Sequence, residues 1–125
     1  MIDHVGLRTR NFARMSMFYE AVLAPLGYRK LFTYEGGAGF GAGGGTPSIW
    51  IGEAEQASTG IHLAIASPTR AAVQAFHAAA LGLGAPDNGA PGLRLDYSPN
   101  YYAAFVLDPD GNNIEAVCHE PERGT

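Results

Sequence analysis

Gly60-Ile61-His62-Leu63-Ala64-Ile65-Ala66-Ser67-Pro68 is the stretch on which the fold turns. Ile61, Leu63 and Ile65 fall on one face and His62, Ala64 and Ala66 on the other. That is the period of a strand covered on one side. Ser67-Pro68 then predicts a helix start, with serine as cap and proline at the first helical position. Val73, Phe76, Ala80 and Leu81 form its buried stripe, and Gly82 and Gly84 stop it. The same order opens the chain. Residues 2–8 predict a strand with Ile2, His4, Gly6 and Arg8 on one face and Asp3, Val5 and Leu7 on the other. Asn11 caps a helix whose stripe is Phe12, Met15, Tyr19, Val22 and Leu26, ended by Pro25 and Gly27. A shift of 58 residues carries His4 onto His62, Leu7 onto Ile65, Ala13 onto Ala71, Phe18 onto Phe76 and Leu23 onto Leu81.

Further strands follow each helix. In the first half, residues 28–34 and 48–52 read as strands on either side of a glycine stretch around Phe40. In the second half, residues 86–92 read as a turn-rich connection and residues 93–97, 101–107 and 112–118 as strands. Pro109-Asp110-Gly111 is a tight turn, because proline presets φ and glycine supplies φ > 0. The chain is therefore βαβββ twice, an internal duplication. The expected fold is α+β, one domain over residues 1–125 with modules of about 1–57 and 58–120. The modules should form a cup-shaped mixed sheet with helices outside.

Composition narrows the function. Twelve acidic residues against eight basic ones give a formal charge of -4, and Lys30 is the only lysine. A nucleic-acid partner, which needs a basic face to neutralise phosphates, is not expected. Apolar residues at 46% exclude disorder of the whole chain. No apolar run of about 18 residues predicts a membrane span, and the start Met1-Ile2-Asp3-His4-Val5 does not read as a signal peptide. The single cysteine, Cys118, cannot form an internal disulfide and fits either a reducing compartment or indifference to redox state; a cytoplasmic protein is expected. Seven glycines crowd residues 36–45. They lack the Gly-Lys-Ser/Thr ending of a phosphate loop and precede a strand, so a mobile loop at the rim of the cup is expected.

Three polar residues interrupt otherwise apolar strands: His4, His62 and Glu115. The opposite faces of those strands are apolar, so the three point to the inside of the curved sheet. Two imidazoles and one carboxylate suit a divalent ion and leave positions open for water and substrate. A hydrogen-bonded structural role is the alternative for each histidine, and solvent exposure at the strand end or an ion pair with arginine for Glu115.

Asp3-His4-Val5-Gly6-Leu7, Gly60-Ile61-His62-Leu63-Ala64 and Asp108-Pro109-Asp110-Gly111-Asn112-Asn113-Ile114-Glu115 together resemble the vicinal oxygen chelate superfamily. This is the group of glyoxalase I, bleomycin- and fosfomycin-resistance proteins and extradiol dioxygenases. The resemblance covers nearly the whole chain. It implies paired βαβββ modules, a homodimer, and metal ligands at His4, His62 and Glu115. The ion would be iron, zinc, manganese or nickel, acting as a Lewis acid on a small oxygen-chelating substrate. Lyase, isomerase, thiol-transferase and dioxygenase chemistries fall within that description. The last strand of the first module has Trp50 where glyoxalase I members carry a carboxylate, which argues against glyoxalase activity. Phe105 on an inner face argues against an anionic phosphonate substrate. Trp50 and Phe105 could line an apolar cup, Tyr101 or Tyr102 could donate hydrogen bonds, and Arg94 lies nearby. Core packing and dimer contact are the alternatives for these residues, and a surface pair with Asp96 for Arg94. His77 is expected at a solvent edge, His119 in a charged tail and Cys118 in the core. The resemblance also implies a second kind of function, a non-catalytic small-molecule binding protein of bleomycin-resistance type using Trp50, Tyr101 and Tyr102. A remnant of the fold without any ligand is the third. If the modules swap between chains, His4 meets His62 and Glu115 of a second copy.

Overall fold

The structure, a computed structural model, describes residues 1–122. The first half runs β1 (Val5–Thr9), α1 (Phe12–Leu23), β2 (Tyr28–Tyr34), β3 (Gly37–Ala42) and β4 (Ile49–Glu53). The second runs β5 (His62–Ala66), α2 (Arg70–Gly82), β6 (Asp87–Leu93), β7 (Tyr102–Leu107) and β8 (Asn113–Cys118). Each half makes its own four-stranded mixed sheet, in the orders β1-β4-β3-β2 and β5-β8-β7-β6. In each, the strand before the helix pairs in parallel with the last strand, and the other pairings are antiparallel.

The register makes the duplication quantitative. Gly6 pairs with Trp50 on β4, and Ala64, its counterpart at the shift of 58, pairs with Glu115 on β8. Trp50 and Glu115 therefore hold the same place in the two sheets. Across the next strand Trp50 meets Gly39 and Glu115 meets Phe105.

Apolar periodicity explains the helices. Met15, Tyr19 and Val22 on α1 and Val73, Phe76 and Ala80 on α2 have no exposed surface. Each large side chain so buried contributes about 1.5–3 kcal/mol. The two helices also touch each other, and one apolar cluster spans both halves. The Asn11 side chain caps α1 by accepting from Arg14 N at 3.2 Å. Gly27, at φ 90°, closes the turn after it.

Four local expectations are corrected. The glycine stretch is no rim loop: residues 37–42 form β3, an inner strand of the first sheet. Ala38 and Phe40 face the core with no exposure, while the intervening glycines leave room for rings on the other face. A Cβ on Gly39 would lie 2.8 Å from Pro47 and 2.9 Å from Trp50. The strand after α2 is residues 87–93, and residues 95–97 form a turn. As an edge strand with two register shifts, β6 accommodates Pro91 and its glycines. Thr69 caps α2, accepting from Ala72 N at 3.0 Å, and Ser67 donates to the Thr69 carbonyl instead. Leu81 is exposed, outside the buried stripe.

The Asp108–Gly111 turn forms as expected, with Gly111 at φ 83° and Gly111 N donating to Asp108 O. It also ties the halves together. Tyr19 on α1 donates to the buried Asp108 carboxylate at 2.7 Å. Asn112 donates to Ser58 O at 2.9 Å and accepts from Ile61 N at 3.0 Å. Burial, and then the Asp108 charge, hold the Tyr19 hydroxyl well above the usual tyrosine range.

Candidate functional site

Glu115 is the most informative side chain of the second sheet. It is 1% exposed, on the face of β8 turned away from α2. A buried carboxylate is costly unless donors replace its water. Two donors do so. His62 Nε2 lies 2.7 Å from Oε1, and the Tyr101 hydroxyl donates to Oε2. The parallel pairing of β5 with β8 brings the histidine there, since His62 and Ala64 share a face and Ala64 is opposite Glu115. The imidazole itself remains 56% exposed, so the cluster opens to solvent on the histidine side.

Burial, followed by the hydrogen bond to Glu115 and its charge, pushes the Tyr101 hydroxyl up to about 12. It therefore stays protonated as a donor at neutral pH. Two edge-to-face contacts frame its ring: Tyr97 at 5.0 Å and His119 at 5.2 Å. Phe105 stands beside His62 at 6.2 Å between ring centres, and the Arg94 guanidinium lies 5.3 Å over the Phe105 ring. Arg94 donates to the carbonyls of Gly92 and Ala90, so it braces β6 and forms no pair with Asp96.

The sequence-predicted residues thus divide. His62, Glu115, Tyr101, Phe105 and Arg94 come together on one face of the second sheet. Tyr102 belongs elsewhere: its hydroxyl accepts from Gln74 of α2 and its ring lies under Arg70 at 5.1 Å. Strand alternation carries this signal, because Tyr101 shares parity with Phe105 and Tyr102 does not. His4 is not brought to His62 and Glu115 within one chain; its Nδ1 lies 2.6 Å from Asp3, and the side chain is 56% exposed. Trp50 sits on the first sheet beside Phe32 and Tyr34, at 6.1 and 6.3 Å. His119 was expected in the tail without a role, although alternation from Glu115 through Val117 leads to it. His77 is buried, not at a solvent edge, and its Nε2 meets Asp87 Oδ1 at 3.0 Å.

As a donor set, one imidazole nitrogen and one carboxylate oxygen in contact fit half of a divalent-ion site. Among the described residues no group of three or more His, Cys, Asp or Glu converges.

The fold is that of the vicinal oxygen chelate superfamily, as the solved structures bear out. A glyoxalase/bleomycin resistance protein from Albidiferax ferrireducens is 27% identical, with a TM-score of 0.77 over 94% of this chain and 97% of that one. A glyoxalase/bleomycin resistance protein/dioxygenase family enzyme from Burkholderia phytofirmans is 20% identical, with a TM-score of 0.72 over 95% and 98%. A lactoylglutathione lyase from Agrobacterium tumefaciens is 16% identical, with a TM-score of 0.66 over 94% and 92%. No family model matches the sequence, and no curated protein does. No helix among the described residues is long and apolar enough to cross a membrane.

Proposed function

We propose that this protein is a divalent-metal-dependent enzyme acting on a small substrate with two adjacent oxygens. The observation that carries the reading is the buried Glu115 carboxylate, paired to a His62 imidazole that is itself open to solvent. Those two residues hold the ion, and His4 is the third ligand, contributed by a second copy of the chain in a homodimer. Exposure of both imidazoles supports that assignment. The donor set admits iron, zinc, manganese or nickel. Bound there, the ion supplies Lewis acidity to the chelated substrate oxygens. Phe105 forms the apolar wall beside His62, and Trp50 of the second copy, in the same half as its His4, provides a second.

Metal content of the purified protein, measured by elemental analysis, tests the proposal. About one ion per chain is expected in the wild type, with loss in His62→Ala and in Glu115→Gln. Wild-type protein that takes up none of the four metals overturns it, as does an unchanged content in His62→Ala. Gel filtration giving a monomer of about 13 kDa refutes the shared site.

The aromatic group Phe32, Tyr34 and Trp50 favours a second reading, a binding protein that sequesters an aromatic small molecule. Phe32 and Tyr34 are 57% and 51% exposed, unusual for large rings. Metal-free protein that binds such a compound with quenching of Trp50, the only tryptophan, would support it.

A further inference from the structure

We propose that Tyr101 is the positioning residue of the site. It ties down Glu115 Oε2 so that Oε1 alone is presented beside His62 Nε2. The inference rests on the reading of Glu115 and His62 as metal ligands, and it adds a residue that touches neither ion nor substrate.

The geometry points to this role in three steps. First, the Tyr101 hydroxyl is engaged. The sequence offers it as a donor to substrate, but in the fold it donates to Glu115 Oε2, while Oε1 faces His62. The two carboxylate oxygens are thereby made unequal. A carboxylate free to rotate could chelate an ion through both oxygens; one held by a phenol offers a single oxygen and leaves a coordination position for substrate. Second, the phenol is itself fixed. Its ring is wedged edge-on between Tyr97 and His119, at 5.0 and 5.2 Å with interplanar angles of 75° and 85°. Third, its backbone is fixed. Arg94 N donates to Tyr101 O at 2.7 Å, and Tyr101 N donates to Ser98 O at 3.3 Å, closing the turn that leads into β7. The 94–101 turn, the C-terminal end of β8 and the carboxylate thus form one rigid assembly. Partners of this kind orient metal ligands, and their loss typically weakens metal affinity by about 10–100-fold.

Cobalt(II) titrated into metal-free, full-length protein, followed by visible absorption, tests the assignment. Tyr101→Phe should bind cobalt about 10–100-fold more weakly. Its absorption should also change in intensity and position as the second carboxylate oxygen becomes free to coordinate. A purely structural tyrosine would lower the melting temperature and leave the spectrum of the bound ion unaltered. His119→Ala, at an exposed position that spares the core, should give a smaller loss in the same direction. Wild-type affinity and spectrum in Tyr101→Phe overturn the proposal. Failure of the wild type itself to take up cobalt and the other four metals refutes the metal reading instead. The crystal structure of metal-free Tyr101→Phe then decides the clamp. A carboxylate turned away from His62 supports it, and one still in its wild-type position overturns it.

Discussion

The two halves of this chain share a strand topology and part company at an equivalent register position. Where β4 of the first half carries Trp50, β8 of the second carries Glu115. Everything around each residue has followed. The tryptophan needs space, and its cross-strand neighbour is Gly39; the glutamate needs a wall and donors, and its neighbours are Phe105, His62 and Tyr101. One face has become aromatic and apolar, the other a buried carboxylate with polar donors that opens to solvent at His62. Duplication supplies a scaffold that tolerates both, because the helix-covered faces of both halves stay largely apolar while the opposite faces are free to diverge. Function on this fold is set by the free faces.

Exchanging the cross-strand neighbours is the most severe way to break the comparison. Gly39→Phe puts the second half's residue into the first, where even a Cβ meets Pro47 and Trp50 at under 3 Å. Overpacking of this kind costs about 3 kcal/mol. Urea unfolding should show that loss, and a stability within 0.5 kcal/mol of wild type would mean that Trp50 is not held against β3 as described. Next in size is the exchange of function. Glu115→Gln should weaken metal binding by roughly 100-fold or more, beyond the loss of an outer partner. Trp50→Phe should leave it within about twofold, since a ring persists and no donor is lost. Equal effects in a calorimetric titration would show that the halves are not specialised.

The sequence showed this contrast more readily than the strands that frame it. Trp50 and Glu115 align through Ile49-Trp50-Ile51 and Ile114-Glu115-Ala116, and both helices announce themselves by stripes at three- and four-residue spacing. β3 gave no such signal. Glycines have no side chain with which to alternate, and the rings that replace their side chains come from Tyr34 and Trp50 on other strands. β6 was hidden because an edge strand does not need every backbone donor, so Pro91 and bulges are admitted that would end an inner strand. Tyr101 could be chosen as a site residue from its neighbourhood, but its engagement with Glu115 depends on the 94–101 turn. The depth of His77 depends on Asp87, which approaches from another element. Contacts between elements are long-range facts, and local periodicity does not encode them.

Tyr19→Phe tests whether the halves act as one body, with a smaller expected effect. The lost donor served a buried carboxylate that keeps its bonds from Asp110 N and Asn112 N. A hydrogen bond to a charged group is worth about 1.5–3 kcal/mol, and the lower end is expected here. The unfolding transition should stay single while its midpoint falls. Two separate transitions would show halves that fold independently and would make the Asp108 clasp dispensable.

The smallest effect concerns how each half pins its outer strand to its helix. The first uses Lys30 of β2 and Glu20 of α1, 2.8 Å apart and well solvated. Such a surface pair is worth about 0.5 kcal/mol and weakens with salt. The second uses Asp87 of β6 and the buried His77 of α2. The hydrogen bond from His77, and then that from Gly89 N, hold the Asp87 carboxyl below its ordinary value of 3.8. A carboxyl lowered by folding stabilises the native state in full above its unfolded pKa, and that contribution is lost as pH falls through the lower, folded value. Melting temperatures of Asp87→Asn should therefore lie below those of the wild type from pH 5 to 7. The gap should close only below pH 3.8. Glu20→Gln should instead differ slightly, and only at low salt. A gap for Asp87→Asn that persists unchanged to pH 2 would show that no native carboxylate is at work in the second pin.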